Sequence, residues 1–291
     1  QIREICRIDS SLKKTLIIQT PFNLNVKEFE KEIPLLEIEL PNEETLEAIL
    51  ESVTDNLDYD NKPDREDKRE IVTASKGLSI MEAEWTYRKI IADKNRLTKY
   101  EISSIIQKKK QIIKKSGVLE YFHPQGDFRE VGGMENLKDW LEKRGKAFTK
   151  DAKDFGLVSP KGVMLLGIPG CGKSLVSKTI ANEWELPLLK LDLGNVFGSL
   201  VGESEARMRE ALKLSEAISP SILWIDEIEK GLSGISDGGD NGTSAKVFGT
   251  LLTWMQEKKN EVFVISTANK IEALPPELLR KGRFDEIFFV D

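Results

Sequence analysis

The chain has 291 residues, a formal net charge of −6, 40% apolar and 32% charged residues, which suits a globular protein with room for two modest cores. The acidic balance gives no bulk attraction for nucleic-acid phosphates or anionic lipid, no uncharged run approaches the ~20 residues of a membrane helix, and Gln1–Glu4 is no apolar signal segment. Neither nucleic acid nor membrane is an expected partner, and two cysteines, Cys6 and Cys171, point to a soluble, reducing, cytoplasmic setting. His123, the single histidine, stands beside Pro124 in a predicted loop with no second histidine for a metal.

The first predicted elements are a strand at Thr15–Pro21, a short polar helical stretch and a strand at Ile33–Pro41. Asn42 then opens a helix with Leu46, Ile49, Leu50 and Val53 on one face, followed by an acidic loop containing Pro63. Ser79-Ile80-Met81-Glu82 and Thr98-Lys99-Tyr100-Glu101 have capping-box spacing and predict two further helix starts. The last helix carries Lys108, Lys109, Lys110, Lys114 and Lys115 beside Ile105, Ile106, Ile112 and Ile113. Without interleaved aromatic residues for base stacking, these lysines read as a solvated face beside a buried one.

Val163–Leu166 is a short apolar run of the buried parallel-strand kind, and Gly167-Ile168-Pro169-Gly170-Cys171-Gly172-Lys173-Ser174 follows at once. This is G-x-x-x-x-G-K-S between a strand and the amphipathic stretch Leu175–Trp184. Its glycines let backbone N–H groups turn inward to phosphate oxygens, and the helix beginning near Lys173 offers its positive end to the same anion. Residues Gly167 to Leu175 are therefore expected to hold ATP, with Lys173 reaching the β- and γ-phosphates and the Ser174 hydroxyl ligating Mg2+. Cys171 is expected to fill space in this loop, a redox role being the alternative.

A second apolar strand, Ser221–Ile225, ends in Asp226-Glu227. Asp226 is expected to hold the magnesium and Glu227 to polarise the attacking water, the alternative being a solvated acidic turn. A third strand, Glu261–Thr267, ends at Ala268-Asn269, where open α/β sheets place ligands, so that Asn269 can hydrogen-bond both γ-phosphate and water. A turn or capping asparagine is the plainer reading.

With Leu278-Leu279-Arg280-Lys281-Gly282-Arg283-Phe284-Asp285, these motifs resemble the AAA+ ATPases of the classical AAA branch over residues 127 to 291. The resemblance implies an α/β fold with a P-loop AAA+ core, a parallel sheet with flanking helices. It also implies adenine contacts at Val131 and Gly132, within Phe128–Gly133, a first pore loop at Gly202-Glu203-Ser204-Glu205, and arginine fingers at Arg280 and Arg283 that complete a neighbouring subunit's site. A homo-oligomeric, usually hexameric, ring follows from that. Two departures stand out: Leu200 takes the place of the usual pore aromatic, and Pro275 stands where an acidic residue is common. Gly231–Ser244 reads as a solvated or axis-facing loop.

The strand–helix–strand order of residues 15–41 repeats that of 262–291, with Pro21 at the position of Asn269, and implies the tail of a degenerate first module; an unrelated α+β cap is the alternative. The expected organisation is 1–41 as the end of that module, 42–117 as a helical lid-like bundle with a linker helix, and 118–291 as an AAA+ large subdomain whose own lid lies outside these residues. The pattern is most similar to the AAA open-reading-frame family of cyanobacteria and plastid genomes, which adds the plastid stroma as a possible location. Three functions are compatible with the sequence: a ring that remodels a protein client, a nucleotide-dependent assembly switch or scaffold, and a nucleic-acid-dependent ATPase.

Overall fold

The structure, a computed structural model, describes residues 17, 36, 38–115, 117–122, 131–149, 152, 154–197, 203–232 and 243–290. Residues 1–37 and 38–291 form two units. Several expectations fall outside the described residues: Cys6, His123, Phe128–Glu130, the pore loop Gly198–Gly202 with Leu200, residues 233–242 of the Gly-rich stretch, and nearly all of the strand–helix–strand echo. Of that echo, residues 17, 36 and 38–41 carry no regular secondary structure.

Four helices open the second unit: α1 (Glu43–Thr54), α2 (Arg65–Ser75), α3 (Ile80–Lys94) and α4 (Ile102–Lys115). Their starts are set by side chains that satisfy first-turn N–H groups. The Asn42 and Asp64 carboxamide and carboxylate oxygens accept from Thr45 N–H at 2.9 Å and Asp67 N–H at 2.8 Å, and Ser79 with Glu82 closes a reciprocal capping box. The expected box at Thr98 and Glu101 also forms, but it opens one 3-10 turn, Lys99–Glu101, that runs into α4. Helix α2 is not marked by the sequence pattern; it lies after Pro63 with Asp64 as its cap, and its polar composition hides the buried Ile71 and Val72. Leu46, Leu50, Ile71, Leu78, Tyr87 and Ile105 make the bundle core.

One lysine of the basic helix departs from its expected place. Lys108, Lys110, Lys114 and Lys115 are exposed, whereas Lys109 is 3% exposed and its Nζ donates to the Ala74 carbonyl at 3.2 Å. The helical period turns position 109 inward with Ile105 and Ile113, and the long aliphatic stem lets the amine reach the end of α2.

The rest of the unit is a six-stranded sheet between helical layers. In chain order come β1 (Leu119–Phe122), α5 (Glu135–Gly145), β2 (Gly162–Leu166), α6 (Lys173–Glu183), β3 (Leu188–Leu191), α7 (Leu193–Phe197), α8 (Glu203–Ala217), β4 (Ser221–Ile225), α9 (Thr243–Glu257), β5 (Val262–Ala268) and β6 (Glu286–Phe289). The spatial order is β1-β3-β4-β5-β2-β6, parallel except for the β1 edge. Strands β2, β4 and β5 are buried throughout, as continuous apolar runs demand when helices cover both faces. Alternate residues divide between two cores: Val163, Leu165, Trp224, Phe263 and Ile265 face α5 and α6, while Met164, Leu166, Leu223, Ile225 and Val264 face α8 and α9.

The helical bundle is continuous with this core. Helix α4 leads into β1, Ile113, Val118 and Leu119 join the α8/α9 cluster, and Lys76 Nζ donates to Ser219 O at 3.2 Å.

Burial, with Lys76 nearby, pushes Lys109 down from the ordinary 10.5 to about 7. Above that value the unfolded chain binds the proton that the folded chain has released, so stability should rise with pH between 7 and 9, by at most about 1.4 kcal/mol per unit. In Lys109→Met the urea midpoint should be higher at pH 7 and climb less with pH. A slope that grows through pH 8 remains from Lys258, which burial and Lys161 push down to about 8. An unchanged slope in the variant would place the Lys109 amine in solvent.

Candidate active site

The loop after β2 curls as its glycines require. Gly170 and Gly172 have φ of +92° and +86°, and a Cβ at Gly167 would lie 1.8 Å from the Val290 carbonyl oxygen. Gly167 donates to Ala268 O at 3.2 Å and Val290 N–H to Leu166 O at 2.6 Å, so the loop leaves the sheet wedged between β5 and β6. Gly172 caps α6, whose first residues are Lys173 and Ser174. Ile168, Pro169, Gly170, Ser174 and Leu175 are exposed on the outer side, and Cys171 is half-buried. The buried Lys173 amine donates to the Gly167 and Ile168 carbonyls, both at 2.7 Å, and lies 3.5 Å from Cys171 Sγ. A polyanion entering the loop offers that ammonium a stronger acceptor than two neutral carbonyls.

Val131 is buried in the same core as Val176 and Ile180, with Met134 and Cys171 packed against it. Its carbonyl accepts from Lys138 Nζ at 2.6 Å. Gly132 beside it is exposed, so the segment expected to meet adenine flanks the start of α6.

Asp226 and Glu227 follow β4, and Asn269 follows β5, on the same carboxyl edge of the sheet as the loop. Thr267, on β5, joins them: its Oγ1 donates to Asp226 Oδ1 at 2.8 Å and accepts from Glu227 N–H at 2.9 Å. Asn269 Nδ2 donates to Glu227 Oε1 at 3.1 Å, while its N–H donates to Glu229 Oε1 at 3.1 Å. Glu227 has φ of +49°, a left-handed conformation unusual for a side chain of that size. Two lysines complete the group. Lys190 Nζ lies 3.2 Å from Asp226 Oδ2 and 4.5 Å from the Trp224 ring centroid, and Lys230 pairs with Glu227 Oε2, which raises the lysine's pKa. A cleft of about 730 Å3 opens beside them, bordered by Lys190, Asp192, Asn195, Asp226, Glu227 and Lys230.

Sequence reasoning alone does not single out Thr267 or Lys190. Each has a signal in retrospect: Lys190 is the lone charge inside the apolar β3, and Thr267 lies two residues before Asn269, on the opposite strand from the acidic pair.

Arg280 is exposed, and Arg283 is half-buried with an Nη1 that finds no partner among the described residues. Their segment is tied to the start of β2. Asp285 Oδ2 accepts the Lys161 and Gly162 N–H groups at 2.6 and 2.9 Å, and Lys161 Nζ donates to Gly282 O at 2.8 Å. No described hydrogen bond joins either arginine side chain to Asp226 or Glu227.

The donor set fits a magnesium-bound nucleotide: a glycine cradle with no room for a Cβ at its root, a lysine and hydroxyl at a helix N-terminus, and a carboxylate fixed by a neighbouring strand.

Residues 163–291 match the family described as ATPase family associated with various cellular activities (AAA), and residues 44–116 match the second domain of SpoVK-like AAA ATPases. The chain is 45% identical, over its whole length and 59% of the relative's, to the uncharacterized AAA domain-containing protein ycf46 of Pyropia yezoensis. It is 42% identical to the protein of that name from Guillardia theta, covering 57% of it. A more distant relative is the putative ribosome biogenesis ATPase nvl of Dictyostelium discoideum, 32% identical over 57% of this chain and 20% of that protein. The chain spans a little under two thirds of the length of its ycf46 relatives. A P-loop at the edge of a mostly parallel sheet, an acidic pair and an asparagine on neighbouring strands, and these matches together make the chain a member of the AAA ATPases.

Proposed function

We propose that the chain binds Mg-ATP in the loop Gly167–Ser174 and hydrolyses it, and that it works as a ring-forming ATPase on a protein client. The observation that carries the catalytic part is the Thr267 bridge, which fixes the Asp226 carboxylate and the Glu227 backbone at one strand edge. Lys173 moves from its own loop carbonyls onto the β- and γ-phosphates, the backbone N–H groups of Gly170 to Ser174 surround them, and Val131 and Gly132 meet the adenine. Ser174 and Asp226 would hold Mg2+, which would supply neutralisation of the phosphate charge. Glu227 Oε1, oriented by Asn269 at 3.1 Å, accepts a proton from water as the water oxygen bonds to the γ-phosphorus. The bond from that phosphorus to the bridging oxygen breaks, releasing ADP and phosphate.

The ring rests on Arg280 and Arg283, whose segment is anchored to β2 without a described bond into its own site, so a neighbouring subunit's γ-phosphate is their partner. The second reading, a nucleotide-dependent assembly switch, is favoured by Leu200 at the pore position, where an aliphatic side chain grips an extended chain less than a ring would. Residues 42–117 serve as a lid of a degenerate preceding module and 118–291 as the active large subdomain. The ycf46 relatives support a plastid compartment, and the cytoplasm is the alternative; no helix among the described residues is long and apolar enough to cross a membrane.

Lys173→Ala should weaken ATP binding by roughly a hundredfold, read by fluorescent-nucleotide titration; normal affinity would remove the loop from nucleotide binding. Glu227→Gln should keep that affinity and lose ~10²-fold or more in kcat, and unchanged turnover would relieve Glu227 of its role. Arg280→Ala subunits, inactive alone, should regain ATPase activity when mixed with Glu227→Gln subunits, since each supplies what the other lacks. No recovery at any mixing ratio would argue against shared sites.

A further inference from the structure

The strand β3 brings a cation into the acidic site that neither the loop nor the acidic pair requires. Lys190 Nζ stands 3.2 Å from Asp226 Oδ2, braced from below by the Trp224 ring at 4.5 Å. The other Asp226 oxygen is taken by Thr267 at 2.8 Å, so Lys190 is the cation in contact with the carboxylate, with Lys230 adding a weaker field from beside Glu227. Its side chain is 30% exposed and borders the cleft, against 22% for Asp226, so the ammonium can withdraw into solvent without disturbing the sheet. Glu120, its cross-strand neighbour on β1, is exposed and lines the same cleft.

We propose that Lys190 is a resident counter-ion of Asp226 that sets how strongly metal and nucleotide depend on one another at this site. The inference rests on the nucleotide reading above and adds a positioning residue to it. Without a metal, an unpaired Asp226 carboxylate repels incoming phosphate; the Lys190 ammonium cancels that repulsion and lets the nucleotide enter alone. With a metal, the same ammonium competes with the dication for the carboxylate and repels it. Lys190 thus strengthens metal-free binding and weakens metal binding, two effects of opposite sign from one charge. Loss of fold or of loop shape moves both in the same direction.

The test uses full-length protein. Titration of Lys190→Met with a fluorescent ATP analogue in EDTA should show about tenfold weaker binding than wild type, and Mn2+ binding to the ADP-loaded variant, read by electron paramagnetic resonance of free Mn2+, should be about tenfold tighter. Lys190→Arg should behave as wild type in both, and in an Asp226→Asn background the Lys190→Met effects should shrink, because the contest for the carboxylate is gone and only the direct charge effect is left. Should Lys190→Met not fold, Lys190→Gln removes the same charge with a polar side chain. Unchanged affinities, a parallel loss of both, or effects that persist undiminished in the Asp226→Asn background would overturn the proposal. A wild type that binds the ATP analogue neither with nor without metal would instead overturn the nucleotide reading beneath it.

Discussion

One hydroxyl holds the acidic edge of the sheet together. Thr267 is 1% exposed, and its Oγ1 gives its proton to Asp226 and a lone pair to the Glu227 N–H. The chain leaves β4 at this point with Glu227 in a left-handed conformation, which for such a residue costs about 1–2 kcal/mol. A turn of that shape persists only where its surroundings over-determine it. Here they do: the N–H is fixed by Thr267, one carboxylate oxygen by Asn269 and the other by Lys230. The sharp turn separates the neighbouring carboxylates, so that Asp226 meets Lys190 while Glu227 meets Asn269. Two adjacent acids thereby acquire different partners and can carry different tasks.

The phosphate loop obeys similar constraints. Its root cannot carry a side chain, because Val290 crosses too close to Gly167, and its tip cannot use ordinary φ values at Gly170 and Gly172. What remains flexible is the Lys173 side chain, which satisfies its three protons on loop carbonyls and the Cys171 sulfur. These bonds cost little to exchange for phosphate oxygens, since charge-assisted bonds to an anion are stronger than those to neutral acceptors. The glycines thus set the course of the loop, and the Lys173 ammonium can exchange its acceptors.

Much of this was legible from the chain. Continuous apolar runs marked β2, β4 and β5 because both faces are covered, and the turn chemistry after each located the loop, the acidic pair and Asn269 on one edge. The capping boxes at Ser79 and Thr98 were readable because they are local in sequence. Other features depend on tertiary contact. Strand β3 is four residues long and interrupted by Lys190, so its period carries little information. Helix α2 buries too few apolar residues to announce itself, and although the helical period turns Lys109 inward, the acceptor for its buried amine is the Ala74 carbonyl, 35 positions away in the chain. Thr267 was hidden because a threonine in a buried strand is ordinary until the opposing strand is known to end in two acids.

The antiparallel edge connects these facts. Helix α4 ends the bundle and passes through Gly117 into β1, which pairs Leu119 with Leu191 and Glu120 with Lys190. The strand that holds the Asp226 counter-ion is thus registered directly against the connection to the bundle. A one-residue slip of that pairing would turn every side chain of β1 to the opposite face and take Leu119 and Tyr121 out of the core they share with Ile113. The apolar alternation of β1 therefore fixes two things at once, the seating of the bundle and the neighbour of Lys190. The bundle and the acidic site thus meet along one four-pair register, in which Glu120 faces Lys190.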